Sequence, residues 1–179
     1  MRRSDHAEET TSLAVAGVAI AAVTVGSPAA NAEDTTTTFE LVAGGLTIAP
    51  QPSAALNTAQ TGASDVLGLL GQVTVTDSRG NNSGWTVTVS SSDFALAAES
   101  GDTTIAATQV QYNPGNVDRT GTVTTTPSAV AGLDAAKTVV EGTAARGNNT
   151  ASWNPTLTVG LPSDALAGVY TGTVSTSVA

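Results

Sequence analysis

Short stretches in which apolar and polar residues alternate recur along this chain, and they predict β-strands. The clearest is WTVTVSS, residues 85–91, where the tryptophan and two valines face one side and the threonines face the other. VTVTD, residues 73–77, alternates in the same way. The turn-forming sequence SRGNNSG lies between the two runs, so the pattern predicts a β-hairpin that joins them.

Weaker patterns predict further strands on both sides of this hairpin. They cover residues 39–48 (two pieces divided by a Gly-Gly pair), 109–112, 120–126, 138–143, 152–161 and 170–178, and the hairpin strand that ends in VTVTD is predicted over 66–77. The Asn-Asn-Thr sequence at 148–150 predicts a turn, and Pro155 predicts a sheet edge or a bulge. Outside the N-terminal segment no helical pattern exceeds about 12 residues. The predicted fold class is all-β, a single β-sandwich of the Ig-like or Greek-key type.

The N-terminal segment has the pattern of a secretory signal. An uncharged apolar run covers residues 12–26, two arginines precede it, and Ala30-Asn31-Ala32 follows as the small-x-small cleavage pattern. The run is shorter than the about 20 residues of a membrane span. We therefore expect a signal peptide at 1–32, a flexible lead at 33–38 and one sandwich domain at 39–179. An uncleaved anchor is the competing interpretation, because acidic residues offset the two arginines.

The charge balance restricts the partners of the protein. The chain has 15 acidic and 6 basic residues, for a net charge of −9. A surface without a basic patch disfavours nucleic acid and repels anionic lipid and teichoic acid. No later stretch is long and apolar enough for a bilayer, so we expect no membrane contact after signal cleavage. A neutral glycan or another protein is the more natural partner.

The residue types of most catalytic sites are missing. The only histidine is His6, inside the predicted signal, and there is no cysteine. Most nucleophile–base pairs and zinc sites need one of these residue types. Carboxylates alone can hydrolyse glycosides, but no spacing brings a pair together; the pairs considered are Asp93 with Glu99 and Asp118 with Asp134. We therefore predict that the protein is not an enzyme.

One acidic turn has oxygen ligands of the type that calcium binds. Asp77, Asn81 and Asn82 lie close together in sequence, but their spacing fits no calcium loop and Arg79 places a positive charge among them. Ordinary turn chemistry explains these residues better. No metal and no cofactor is expected.

Three blocks of sequence together resemble a known family. They are FELVAGGLTIAP at 39–50, GQVTVTDSRGNNSGWTVTVSSSDF at 71–94 and SWNPTLTVGLPSDALAGVYTGTVSTSV at 152–178. In these blocks the chain resembles the WxL-type cell-wall-binding domain of Gram-positive surface proteins, in the form found in small secreted actinobacterial proteins. The resemblance implies a β-sandwich that associates non-covalently with peptidoglycan.

The resemblance also implies candidate binding residues. Trp85-Thr86-Val87 matches the first W-x-L motif with Val for Leu, and Trp153 and Tyr170 complete the set carried over from the family. The second W-x-L motif should fall near residues 176–178, where Thr176 stands in place of the tryptophan. Both tryptophans head an alternating apolar face, so a core position is favoured over stacking on sugar rings.

These observations predict a secreted, non-catalytic protein associated with the cell wall. Its expected partner is peptidoglycan, another cell-wall glycan or another surface protein. A structural protein that forms homo-oligomers through sheet edges or a threonine-rich face is the alternative, because several strands lack the Lys and Pro residues that protect edges. A glycan hydrolase that uses only carboxylates is the third hypothesis.

Overall fold

The computed structural model describes residues 33–97 and 104–179, so the predicted signal at 1–32 and Glu99 lie outside the described residues. The chain divides into two compact units, Met1–Phe39 and Glu40–Ala179. Of the first unit, residues 33–39 are described; they are exposed and form no strand. The second unit contains every described strand, and within the described ranges the only helical element is a single 3₁₀ turn, Ala107–Gln109.

Thirteen strands form three antiparallel sheets in the described part of the second unit. In chain order they are β1 (Leu46–Ala49), β2 (Asp65–Leu69), β3 (Val73–Asp77), β4 (Trp85–Ser91), β5 (Phe94–Leu96), β6 (Thr104–Ile105), β7 (Val110–Asn113), β8 (Asp118–Pro127), β9 (Val130–Ala131), β10 (Lys137–Trp153), β11 (Thr156–Gly160), β12 (Tyr170–Thr171) and β13 (Val174–Val178). Sheet A has the order β1-β3-β10-β4-β13, with β8 also paired to β10; sheet B is β2-β11-β7-β9 and sheet C is β12-β5-β6. The predicted all-β class is confirmed.

Strand β10, with 17 residues, is the centre of sheet A. Ala151 lies opposite Val75 of β3 on one side and opposite Arg119 of β8 on the other. Further back along the strand, Gly142 lies between Trp85 of β4 and Thr125 of β8. Strand β8 therefore follows one edge of β10 along most of its length, whereas β3 and β4 lie one after the other along the opposite edge.

This arrangement makes the predicted β3–β4 hairpin wrong. The two strands do not pair with each other; both pair antiparallel with β10. Residues 78–84 therefore connect two strands in line instead of reversing the chain. Their composition indicates a turn correctly, but local composition carries no information about the distant strand that supplies the ladder partners.

The predicted turn at 148–150 is also wrong, because these residues lie inside β10. The strand accommodates its turn-forming residues as irregularities: the register with β8 shifts on both sides of Arg146. Ala144 and Gly147 have positive φ angles of 49° and 62° nearby. Extra residues of this kind bend a strand without ending it, so Gly and Asn here mark bulges and not a chain reversal.

The chain passes from sheet A to sheet B through a bent two-stranded ribbon. Strands β3 and β10 pair in sheet A, and their continuations β2 and β11 pair in sheet B. At the bend the Leu70 amide donates to the Pro155 carbonyl oxygen at 2.9 Å, and Gly71 has a φ of 85°. The predicted single strand over 66–77 is thus two strands, because strands that change sheets need a bend at the corner.

A second bent ribbon connects sheet A to sheet C. Strands β4 and β13 pair in sheet A, while β5 and β12 pair in sheet C. At this corner the Ser92 amide donates to the Thr173 carbonyl oxygen at 2.9 Å. The predicted closing strand over 170–178 is therefore also split in two. Of the two strand pieces predicted over residues 39–48, only the second is a strand, β1, which covers Leu46–Ala49.

One buried cluster connects the sheets. The inward faces of β3, β4 and β10 pack with β7 and β11 of sheet B, and Ile105 of sheet C joins them. The fully buried apolar residues include Val75, Val87, Val89, Val110, Tyr112, Val139, Val140, Leu157 and Val159. Alternation along β3 and β4 thus defines a buried side as predicted. The opposite side of sheet A carries mostly hydroxyl side chains.

Candidate functional site

Trp85, the first residue of the candidate motif, is 3% exposed at the start of β4. Its indole packs on the backbone of Gly142 in the neighbouring strand: a Cβ atom at Gly142 would lie 2.6 Å from both Cδ2 and Cζ2 of the ring. The indole Nε1 donates to Asn149 Oδ1 at 3.1 Å. The tryptophan therefore has the core position that alternation favoured, and in this structure its ring presents no face to a sugar.

A buried polar network continues from this indole to the 78–84 connection. Asn149 Nδ2 donates to Asp77 Oδ2 at 3.3 Å. Arg79 donates to both carboxylate oxygens of Asp77, at 2.9 and 3.0 Å, and to the Gly84 carbonyl oxygen at 2.9 Å. Asp77 and Asn149 are the buried polar residues of the described domain, at 2% and 3% exposure. The network joins β3, β10 and the start of β4 where the two in-line strands are interrupted.

The charges in this network stabilise each other. The hydrogen bonds from the Arg79 side chain lower the pKa of Asp77, whereas the burial of Asp77 raises it. The hydrogen bond from Asn149 also lowers this pKa. The carboxylate in turn raises the pKa of Arg79. Because its oxygens bind Arg79 and Asn149, Asp77 is committed to the fold, which agrees with the turn interpretation and not with calcium binding.

Strand β13, where the resemblance predicts the second motif, pairs with β4, which carries the first motif. Val178 lies opposite Val87 and Ser177 lies opposite Thr88. The ladder closes with two backbone hydrogen bonds between Thr86 and Ala179, at 2.8 and 3.0 Å. No local pattern in either segment predicts that the two lie on adjacent strands.

Trp153 connects two sheets. It is 3% exposed at the end of β10, and its indole Nε1 donates to the hydroxyl of Tyr112 in sheet B at 2.9 Å. Burial raises the pKa of Tyr112 to about 12, against the lowering effect of this hydrogen bond. Trp153 thus has a core position, like Trp85.

The remaining candidate residues lie nearer to the surface. Thr86 is half-buried on the side of β4 that faces away from the core, whereas Val87 is fully buried. Tyr170, half-buried in β12, donates its hydroxyl to the Leu166 carbonyl oxygen at 3.0 Å. The structure therefore distributes the five candidates over the core, the outer face of sheet A and sheet C, and their binding role stays a prediction.

Threonine hydroxyls form rows across the outer face of sheet A. Thr47, Thr76, Thr150 and Thr120 are direct neighbours on β1, β3, β10 and β8. The hydroxyls of Thr120 and Thr150 are 2.6 Å apart. This surface is the threonine-rich face of the sequence analysis, and its hydroxyl groups hydrogen-bond partly with each other.

A cleft of about 370 Å³ opens on the inner side of β13. It lies between the segment at residues 50–56, the second corner and the edge of the core. Its lining is Pro50, Gln51, Pro52, Ser53, Ala54, Leu56, Leu70, Val73, Phe94, Tyr112, Leu157, Thr171, Gly172, Thr173, Val174 and Thr176. Among these residues, only Thr176 falls at a position where the resemblance predicts a motif. The two prolines, which fix φ in an extended segment, are the only local signal of a shaped wall.

Of the two carboxylate pairs considered, only Asp118 with Asp134 lies wholly within the described residues, and its two members are far apart along β10. Asp118 pairs with Ser152 at one end of β10, whereas Asp134 precedes Lys137 at the other end. Asp93 Oδ1 accepts from the Ala107 amide at 2.8 Å, which gives it a structural partner. Within residues 33–97 and 104–179 no group of three His, Cys, Asp or Glu residues is placed to hold a metal ion.

These features define a class of protein, a small antiparallel β-domain with a buried tryptophan motif and a neutral surface cleft. The chain belongs to the family of WxL domain surface cell wall-binding proteins, whose family model matches residues 48–159. The match includes Trp85 and Trp153 and ends before β12 and β13. No curated protein and no solved structure matches the chain.

Membership of this family identifies a cell-wall-binding surface domain. In the described parts of the chain, no helix has the length and apolar character needed to cross a membrane. The family match over residues 48–159 confirms the predicted resemblance for the part of the chain that carries the first motif.

Proposed function

We propose that this protein is secreted, associates non-covalently with peptidoglycan or another wall glycan, and has no catalytic activity there. The observation that supports this most directly is the family match over residues 48–159. The cleft beside β13 contains no charged side chain, and the net charge of −9 disfavours anionic wall polymers. Both features are consistent with a neutral glycan as the partner.

The test is co-sedimentation of the purified protein with isolated Gram-positive sacculi, with and without attached teichoic acid. We expect retention on sacculi stripped of teichoic acid, and we expect chelator to have no effect. Absence of retention at micromolar protein would contradict the proposal.

The same incubation tests the absence of catalysis. We expect no release of soluble muropeptides or new reducing ends from the sacculi over many hours. Release that substitution of a single Asp or Glu abolishes would instead support the carboxylate hydrolase.

Self-association through a sheet edge is the second candidate function. Strand β8 has ten residues and pairs only with β10 among the described strands. Its charged residues, Asp118 and Arg119, are the first two and its proline is the last, so residues 120–126 contain neither a charge nor a proline. A long edge strand without such protection is a template for pairing with another chain.

Sedimentation equilibrium over a range of concentrations tests this second function. Thr124→Lys should weaken self-association because it places a charge on the free edge. Thr143→Lys is the matched control, because Thr143 lies opposite Thr124 on the central strand and adds the same charge away from the edge. A wild-type protein that stays monomeric at high concentration rules this function out.

A further inference from the structure

Thr176 forms part of one wall of the cleft beside β13. Along β13 the half-buried positions are Val174, Thr176 and Val178, and the residues between them are exposed. Thr176 lies opposite the fully buried Val89 of β4 and lines the cleft. Threonine has a small side chain, so a larger side chain at this position would extend into the cleft.

The floor of the cleft is apolar and well packed. Tyr112 and Leu157 are each 1% exposed and Val73 is 3% exposed, so these side chains close the cleft toward the core. Phe94 is the half-buried aromatic residue of the lining, and its ring rests on Gly172: a Cβ atom there would lie 2.8–2.9 Å from the ring carbons. The backbone of Gly172 therefore contacts the ring and fixes its position, so that the ring can serve as a rigid aromatic platform for a ligand.

The rim of the cleft is polar but uncharged. It carries the Gln51 amide and the hydroxyls of Ser53, Thr171, Thr173 and Thr176. Gln51 is anchored by a hydrogen bond from Nε2 to the Gln72 carbonyl oxygen at 3.4 Å. An apolar floor with a few hydroxyl and amide groups is the usual composition of a small-ligand site, and a volume of about 370 Å³ lies in the usual range.

We propose that this cleft binds an N-acetylated amino sugar of a neutral glycan chain. The apolar face of the pyranose ring and the acetamido methyl group would contact Phe94 and the aliphatic floor, while the sugar hydroxyls and the amide hydrogen-bond with the rim. The uncharged lining matches a neutral ligand, because it offers no opposite charge to a phosphate or to a protonated amine. This inference rests on the proposed wall association and names the site and the sugar type for it.

The experiment fills the cleft and compares two probes. Calorimetry measures binding of the β-1,4-linked N-acetylglucosamine tetramer and of its fully deacetylated counterpart to wild type, Thr176→Trp and Ser175→Trp. Thr176→Trp places an indole in the cleft, whereas Ser175→Trp places the same side chain on the exposed side of β13. We expect wild type and Ser175→Trp to bind the acetylated tetramer, Thr176→Trp to bind at least tenfold more weakly, and the deacetylated tetramer to bind to none of them.

Sacculus co-sedimentation of the same three proteins separates the two proposals. If wild type is not retained, the proposed wall association fails. If Thr176→Trp is retained as well as wild type, the wall association stands and the cleft assignment is overturned. Equal binding of both tetramers would likewise overturn the assignment to an acetylated sugar.

A second variant keeps the test valid if Thr176→Trp lowers the melting temperature. Phe94→Leu retains an apolar side chain but removes the aromatic platform, and we expect it to weaken tetramer binding several-fold at a temperature where circular dichroism shows the variant to be folded. Unchanged affinity in a folded Phe94→Leu variant would remove Phe94 as the platform and overturn the proposal.

Discussion

At the scale of single residues, the described domain depends on unusually close contacts around its few large side chains. The chain contains two tryptophans, two tyrosines and two phenylalanines. Trp85 and Trp153 each pair a buried ring with a hydrogen-bonded Nε1. Since a buried indole without a partner for its N–H is costly, Asn149 and Tyr112 are as important to these positions as the apolar neighbours are.

Gly142→Ala tests the contact beneath Trp85. The added methyl group would overlap the indole, and overpacking of this kind costs about 1–3 kcal/mol in the free energy of unfolding. Urea denaturation measures the loss. Gly45→Ala is the control, because a Cβ atom there meets nothing within 4 Å. Equal stability of the two variants would contradict the close approach of β10 to Trp85.

The Asp77 network gives a pH-dependent prediction. The pKa of Asp77 in the folded state lies below the ordinary value of 3.8. Ionised Asp77 therefore stabilises the fold above about pH 4. This stabilisation is lost as the pH falls through the folded-state pKa of Asp77. Asp77→Asn should cost about 1–3 kcal/mol at pH 7, since Arg79 loses its charged acceptor.

Denaturation at several pH values measures this effect. The difference in stability between wild type and Asp77→Asn should shrink below about pH 4. A difference that stays constant from pH 7 to pH 3 would show that the charge of Asp77 contributes nothing to stability.

At the scale of elements, the bulged strand β10 determines the architecture of sheet A. Its irregularities allow one strand to pair with β8 along one edge and with β3 and β4 in succession along the other. Gly121 shows how closely β8 approaches: a Cβ atom there would collide with the Asn148 carbonyl oxygen. The residues that local analysis assigns to a turn thus form the most crowded part of the strand pair.

Gly121→Ala and Gly115→Ala test this contact as a matched pair. Both glycines have positive φ, 72° and 69°, but a Cβ atom at Gly115 meets nothing within 4 Å. Each substitution should cost about 1–2 kcal/mol for the left-handed backbone, and Gly121→Ala should cost at least about 1 kcal/mol more. Hydrogen exchange should locate the extra loss in β8 and the adjoining part of β10. Indistinguishable variants would contradict the observed register.

At the scale of the whole molecule, sheets A and B share one core, so the described domain should unfold as a unit. Leu157→Ala removes a fully buried side chain from sheet B and should cost about 2–5 kcal/mol. Tryptophan fluorescence reports on sheet A, because both tryptophans lie there. The fluorescence and circular dichroism midpoints should fall together; an unchanged fluorescence midpoint would show that the sheets unfold separately.

The candidate site was predictable only in part. Alternation in residues 85–91 correctly indicates the buried side of β4, and the resemblance located the motif segments. The cleft was not predictable, because its walls come from residues 50–56, from Phe94 and from β13, which are far apart in sequence. Asn149 was missed for a related reason: its polar type and neighbours indicate a turn, whereas distant partners bury it.

The sequence by itself determined the all-β class, the inward residues of β3 and β4, the first tryptophan motif and the family. These depend on short-range periodicity and residue type, which are local properties. Only the tertiary structure decided that β3 and β4 lie in line along β10, that two ribbons bend between sheets, that β4 and β13 are neighbours, and that distant segments line an open cleft. Pairing between distant strands selects the partner that buries the most apolar surface and satisfies the most backbone groups across the whole chain, and no local stretch of sequence specifies that choice.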